Sequence, residues 1–250
     1  MRAVAMALLA LGGLTLAAPV SAQETPQTGS PADWPLPIQD SAVYTFFQAD
    51  RLEYRARSGD DGYIWDVQGW IGNDKHKFWA KVEGEGSFDD GVESAQFQGL
   101  YSRMIAPFFD VQVGVRQDIE PNPSRTYAVV GLQGLAPYWF ELDSAVFISD
   151  KGDVTARIEA EYELLLTQRL ILQPRAELNF AFQDVTELRV GSGLSTAELG
   201  LRLRYEIKRQ FAPYVGVAWE RSIGDTADFV RADGGDPAVT SFVAGVRLWF

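Results

Sequence analysis

Hydrophobic and polar residues alternate one by one along much of this chain. The alternation is most regular in residues 153–165, 169–182 and 196–208, and it continues to the last residue, Phe250. A period of two is the repeat of a β-strand, whose successive side chains point to opposite faces. A helix, the less favourable alternative, would carry leucines and charges on every side and bury poorly. The pattern therefore predicts strands with one apolar face and one polar face.

The same alternation divides the chain into twelve segments of strand length. They are residues 43–56, 62–72, 76–85, 92–104, 107–116, 125–134, 137–148, 153–165, 169–182, 196–208, 212–222 and 239–250. Every second connection is short, as at 72–76, 104–107 and 134–137, whereas 85–92, 116–125, 182–196 and 222–239 are mostly longer and rich in Gly, Asp or Pro. Short periplasmic turns and longer extracellular loops are typical of bacterial outer-membrane barrels. We therefore predict an all-β fold: a transmembrane antiparallel up-and-down β-barrel of about twelve strands.

The residues before the first strand are predicted to form two segments, a processing signal and a linker. Residues 1–22 combine Arg2, an apolar stretch and a small-residue site at Val20-Ser21-Ala22, which is typical of a cleaved signal peptide. A retained anchor is the weaker interpretation, because the stretch is too short to span a bilayer comfortably. Residues 23–42 are Pro-rich and polar and are predicted to form a periplasmic tail. The barrel is expected to occupy residues 43–250.

The amino-acid composition limits the partners and the chemistry that this chain can have. The net charge is −12, and it becomes −13 when the leader with its single arginine is removed. An acidic chain of this kind lacks the basic face that nucleic acid requires, so we expect no nucleic-acid partner. The chain has no cysteine and therefore no disulfide or thiolate site. It has one histidine, which leaves little basis for hydrolase chemistry, and we expect no enzymatic activity.

The polar faces of the three most regular strands carry charges of both signs. Charges inside a membrane protein face a partner or water, so these side chains are predicted to line the barrel lumen. One interpretation is a salt-bridge network that fills a narrow lumen, and the other is a polar conduit or an ion-binding lining. The predicted lumen-lining residues are Arg157, Glu159, Glu161, Glu163, Arg175, Glu177, Arg202, Arg204 and Glu206.

Few residues could hold a soft metal. His76 is the only histidine and lies in a predicted periplasmic turn, and Met104 is the only methionine after the leader. A solvated turn histidine is the ordinary interpretation of His76, and a metal ligand is the alternative. If a metal binds, we expect one weakly held ion on His76, with carboxylates such as Asp74 or Glu83, and Met104 as the single thioether.

Five long strings carry a resemblance to a known family. They are YIWDVQGWIGNDKHKFWAKVEGEG (63–86), ESAQFQGLYSRMIAPFFDVQVGVRQD (93–118), RTYAVVGLQGLAPYWFELD (125–143), EAEYELLLTQRLILQPRAELN (159–179) and ELGLRLRYEIKRQFAPYVGVAWER (198–221). Through these strings the chain resembles the copper resistance protein B family of Gram-negative outer-membrane proteins, from about residue 48 to residue 250.

The resemblance implies an outer-membrane location, a part in copper tolerance and copper as a weakly bound ion. It also implies outer-membrane lipid, copper ions and periplasmic copper-handling proteins as partners. Family members often carry a Met- and His-rich segment before the barrel, and residues 23–40 here contain neither residue type. The expected function is copper resistance or homeostasis, by weak copper binding or by assisting efflux. The alternative is a general small-solute channel or a structural barrel without metal specificity.

Overall fold

The computed structural model describes residues 42–250 of the chain. The predicted signal peptide, residues 1–22, and all but the last residue of the predicted tail, residues 23–42, lie outside the described residues. The described part contains thirteen strand segments in one sheet. They are β1 (Tyr44–Arg57), β2 (Gly62–Gly72), β3 (His76–Ser87), β4 (Gly91–Ala106), β5 (Phe109–Glu120), β6 (Arg125–Ala136), β7 (Phe140–Ser149), β8 (Val154–Tyr162), β9 (Leu164–Leu165), β10 (Leu170–Ala181), β11 (Gly193–Tyr205), β12 (Phe211–Ser222) and β13 (Ala238–Trp249).

Twelve barrel strands result, because β8 and β9 are two parts of one strand interrupted at Glu163, and both pair with β10. Each strand is antiparallel to the next, and β13 pairs with β1 to close the barrel. The seam continues to the last residue: Phe47 N donates to Phe250 O at 3.0 Å, and Phe250 N donates to Phe47 O at 2.8 Å. The predicted up-and-down transmembrane barrel is confirmed.

The two ends of the barrel differ. At one end, here the turn end, residues 73–75, 107–108, 137–139, 166–169 and 206–210 join the strands. The other end, here the loop end, carries residues 58–61, 88–90, 121–124, 150–153, 182–192 and 223–237. Only the last two loops are long, and they contain the short 3-10 helix Thr186–Leu188 and the helix α1 (Asp225–Ala232). No helix in the described part is long and apolar enough to cross a membrane.

Two of the connections predicted to be long are short. The connections expected at 85–92 and 116–125 shrink to 88–90 and 121–124, because β3, β4 and β5 continue further than the alternation indicated. Glycine explains the first case: a Cβ atom on Gly86 would lie 2.2 Å from the carbonyl oxygen of Gly91, so only glycine allows β3 and β4 to pair this close to the turn.

The outer surface of the barrel is an apolar belt and the inner surface is largely polar. On β13, Phe242 is 72% exposed whereas its neighbours Ser241 and Val243 are buried, as the alternation predicted. Large exposed apolar side chains recur on the same face of the other strands, among them Leu199, Leu201, Val215 and Phe97. A continuous exposed apolar surface of this extent suits contact with lipid.

One part of the interior is apolar. Leu100, Tyr127, Val129 and Phe147 form a buried cluster on β4, β6 and β7, and Trp79 and Ala145 pack against it. Arg116 lies over both aromatic rings, 5.2 Å from the centroid of Tyr127 and 4.7 Å from that of Phe147. This cluster fills one part of the lumen.

Candidate functional site

The nine charged residues predicted to line the lumen all lie on interior positions. Arg157, Glu159 and Glu161 belong to β8, Glu163 follows it, Arg175 and Glu177 belong to β10, Arg202 and Arg204 to β11, and Glu206 follows β11. Strand alternation places their neighbours, such as Ile158 and Leu201, on the exposed outer face. The nine residues take part in ion pairs or line the interior cavities described below.

A buried ion-pair network connects these strands with β1. Arg202 donates to Glu53 through Nε at 2.7 Å and through Nη2 at 3.1 Å, and the Glu53 side chain has no exposed surface. Arg55 donates to Glu53 at 2.9 Å and to Glu198 at 2.9 Å. Charges this deeply buried are tolerated only when each is paired and hydrogen-bonded. The network therefore couples β1 to β11 across the intervening strands.

Sequence reasoning missed the charged residues contributed by β1 and β2. The register of β1 shifts between Ala49 and Arg51, and this bulge places Asp50 and Arg51 on the lumen side together. Asp50 pairs with Arg247 at 2.9 Å, and Arg51 pairs with Asp66 at 3.2 Å. Adjacent charges on one face do not fit a period of two. The charged run DRLEYR at residues 50–55 was the available signal, but a test for alternation alone does not detect it.

Two main cavities occupy the middle of the lumen. The first, of about 360 Å³, is lined by seven carboxylates and one lysine, together with other polar and apolar groups. Its carboxylates are those of Asp50, Asp66, Glu83, Glu141, Asp143, Glu159 and Glu161, and its lysine is Lys81. The second, of about 220 Å³, lies toward the loop end and is lined by residues that include Glu83, Glu85, Glu177, Glu198 and Glu220. A third cavity, of about 280 Å³, opens at the turn end beside Arg204, Arg247 and Trp249.

Three arginines, here called the arginine layer, lie between the first and second cavities: Arg51, Arg157 and Arg175. Each pairs with a carboxylate of the first cavity. These pairs are Arg51–Asp66 at 3.2 Å, Arg157–Glu83 at 2.6 Å and Arg175–Glu159 at 2.6 Å. Each also reaches a carboxylate of the second cavity. These contacts are Arg51–Glu198 at 3.8 Å, Arg157–Glu177 at 3.5 Å and Arg175–Glu177 at 2.6 Å.

Two ion pairs cross the lumen between distant strands. Arg157 on β8 meets Glu83 on β3, and Lys81 on β3 meets Asp143 on β7 at 2.6 Å. Gln96 also donates to the Glu83 carboxylate. The interior is thus crossed by charged side chains at mid-height rather than lined by them alone.

The four predicted metal ligands do not come together. Glu83 faces the lumen within the arginine layer, whereas His76 stacks on Tyr101 at the outer face of the turn end. Seven residues of β3 separate the two, which is about 23 Å along a strand. The expectation that Glu83 could share an ion with His76 is therefore wrong, because an odd spacing also places the two side chains on opposite faces of β3.

His76, Asp74 and Met104 do share one neighbourhood of the backbone. His76 pairs in register with Arg103, and Met104 N donates to Lys75 O at 3.0 Å. Strand alternation turns the Met104 side chain away from the face that carries Arg103 and His76. The His76 Nδ1 atom lies 2.5 Å from Tyr101 Oη, and Asp74 lies two residues before His76 in the same turn. Within residues 42–250, no three or more Asp, Glu, His or Cys side chains converge in a geometry that could hold a metal ion.

Comparisons with known proteins give one consistent result. Residues 43–250 match the family model described as copper resistance protein B precursor. The chain is 46% identical over 213 residues to a copper resistance protein B homolog of Pseudomonas syringae pv. tomato, covering 85% of this chain and 72% of that protein. It is 44% identical, with the same coverage, to copper resistance protein B of Escherichia coli.

A solved structure supports the fold. The NanC porin aligns with a TM-score of 0.55 at 15% sequence identity, over 81% of this chain and 98% of that one. At this identity the likeness concerns the barrel architecture alone.

Proposed function

This chain belongs to the copper resistance protein B family. From that membership we propose that it acts as a non-catalytic outer-membrane barrel that binds copper weakly as the ion passes. Its function is copper resistance at the outer membrane. The observation that carries the assignment is the family match over the whole barrel, residues 43–250, together with 46% identity to a curated relative. We propose further that residues 1–22 direct export and are then removed.

Weak binding follows from the ligands that the lumen offers. The first cavity presents carboxylates, which are hard ligands suited to hydrated divalent cations and able to contribute to a Cu(II) site. Tight Cu(I) binding needs thiolate or thioether sulfur, and after the leader the chain has one methionine and no cysteine. The chain is therefore suited to attract and release Cu(II) rather than to store copper.

His76 is the remaining candidate for a discrete copper contact. Its Nδ1 is held by Tyr101, which leaves Nε2 to face outward from the turn that carries Asp74. We expect the purified barrel to retain at most one weakly held copper ion per chain, measured by elemental analysis after gel filtration. The change His76→Ala should remove it, and Met104→Leu should not. Two or more tightly retained ions, or retention unaffected by His76→Ala, would contradict this assignment.

A deletion strain tests the function itself. Loss of the gene should lower tolerance to copper, and a plasmid copy of the full chain should restore it. Zinc and silver serve as controls, because silver mimics Cu(I) and zinc is a divalent ion of similar size. Selective sensitivity to copper is the expected result. Equal sensitivity to all three metals, or none, would favour the alternative of a general channel or structural barrel.

A further inference from the structure

The arginines of the arginine layer have more carboxylate partners than a purely structural ion-pair network requires. Each of Arg51, Arg157 and Arg175 contacts carboxylates on both sides of the layer, at 2.6–3.8 Å. Glu83 lines the first cavity and the second, so its pair with Arg157 lies at the boundary of both. The layer is therefore a partition built from groups that have an alternative partner on either side.

We propose that the arginine layer is a gate for cations, which closes the lumen at mid-height and opens when an entering cation replaces guanidinium at the carboxylates of the first cavity. The exchange preserves charge pairing. A cation that binds beside Asp66, Glu83 or Glu159 takes over the role of the arginine there. The released guanidinium then moves fully onto Glu177 or Glu198, which it already contacts.

Energetics favour this exchange over simple rupture. Breaking a buried ion pair without a replacement leaves an unpaired buried charge, which is strongly unfavourable. When a cation takes the place of the arginine, the carboxylate remains paired. The arginine also remains paired, because it moves onto its second carboxylate. The two arrangements of the layer are thus both paired, which is the condition for a switch with two states.

The sign of the charge in the first cavity selects the ligand class. Five of the seven carboxylates are paired: Asp66, Glu83 and Glu159 with the arginine layer, Asp50 with Arg247 and Asp143 with Lys81. Glu141 and Glu161 have no ion pair in the described structure, so the first cavity carries an excess of negative charge, and such an excess in a water-filled cleft concentrates cations. Glu141 and Glu161 stand opposite each other in register on β7 and β8, and like charges directly opposite destabilise a sheet unless a cation lies near. The cavity therefore favours small hydrated cations, with Cu(II) as the cargo; that last step rests on the proposed function.

Conductance in planar bilayers tests the gate with potassium chloride, independently of copper. The full chain should show little current, because monovalent potassium binds carboxylates too weakly to replace guanidinium and the layer stays closed. The double variant Glu83→Gln/Arg157→Gln removes the pair without leaving an unpaired charge or altering net charge. It should raise conductance about tenfold or more and select potassium over chloride. The matched control Arg116→Gln/Asp118→Asn removes an ion pair outside the layer, also at unchanged net charge, and should leave the current low.

The outcomes separate cleanly. A wild-type barrel that conducts freely overturns the gate without any variant. A folded double variant, shown by heat-modifiable migration, that conducts no better than wild type also overturns it. Anion selectivity in the open variant overturns the cation assignment. To test the cargo, copper chloride is then added to the wild type. A rise in current supports replacement of guanidinium by Cu(II), and a current unchanged by copper but raised by magnesium overturns the copper step alone, whatever the deletion strain shows.

Discussion

At the scale of single residues, one step along a strand separates lipid from the charged interior. Leu201 is 42% exposed on the outer face, and the next residue, Arg202, is 3% exposed and bonds to Glu53. Replacing Leu201 with Arg should destabilise the barrel by about 2–4 kcal/mol if the position lies near the bilayer midplane. Unfolding by urea in lipid vesicles, followed by loss of the heat-modifiable band, measures the difference. Stability equal to that of wild type would mean that β11 has the opposite phase.

Three further variants test the same place. Leu201→Ile keeps an apolar side chain toward lipid and should be nearly neutral. Arg202→Gln should cost about 3–5 kcal/mol, because it leaves the fully buried Glu53 carboxylate short of a partner. Adding Glu53→Gln to Arg202→Gln should recover much of that loss, and a double variant as unstable as the single one would show that the pair is not coupled.

At the scale of elements, one carboxylate of the long loop 182–192 links it to two neighbouring segments. Glu187 accepts hydrogen bonds from Lys151 Nζ at 2.7 Å and from Arg125 Nη2 at 2.7 Å. The hydrogen bond from Lys151 is the largest cause that lowers the pKa of Glu187 below its usual value of 4.5. A lowered pKa means that the contact stabilises the loop fully above about pH 4.5 and is lost as the pH falls through the lower folded value.

The protection of the amides of loop 182–192 from hydrogen exchange should therefore depend on pH. Amide exchange within residues 182–192 should be slow at neutral pH and should quicken, beyond the ordinary pH dependence of exchange, once Glu187 protonates. Glu187→Gln should show the faster exchange already at pH 7 and lose the extra pH dependence. Glu120→Gln, in a strand end whose carboxylate bonds only to Asn122 in the described structure, is the control. Identical protection in the Glu187 variant and wild type would refute this link.

The sequence predicted the strands correctly wherever hydrophobic and polar residues alternate without interruption. The strands β8, β10, β11 and β13 follow the period of two, and their faces are as predicted. The bulge at Asp50 could not be found this way, because it depends on how β1 pairs with both neighbours. Strand ends at glycine-rich turns were also missed, since backbone pairing at Gly86 and Gly91 continues where side-chain alternation gives no signal.

At the scale of the whole molecule, the sequence predicted that the lumen is charged, but it did not predict which charged side chains form ion pairs. Alternation predicted Arg157 on the inner face of its strand, but its contact with Glu83 joins residues 74 positions apart in the sequence. Such contacts depend on the tilt and stagger of the strands in the closed barrel, which no local pattern encodes. By contrast, local spacing does determine the distance along one strand, and that distance separates Glu83 from His76 on β3.

Closure itself gives the last prediction. Residues Leu248–Phe250 form the turn-end part of the seam: Leu248 pairs with Ala49, Trp249 with Gln48, and Phe250 exchanges two backbone hydrogen bonds with Phe47. Without them the end of β1 is an open edge in lipid, where each unpaired backbone group costs several kcal/mol. Deleting Leu248–Phe250 should therefore abolish folded protein in the outer membrane, measured by heat-modifiable migration of membrane fractions. Deleting Asp233–Gly235 removes the same number of residues from the loop after α1 and should leave assembly intact. Normal folded levels of the terminal deletion, with the loop deletion as reference, would show that β1 and β13 do not need this part of the seam to close the barrel.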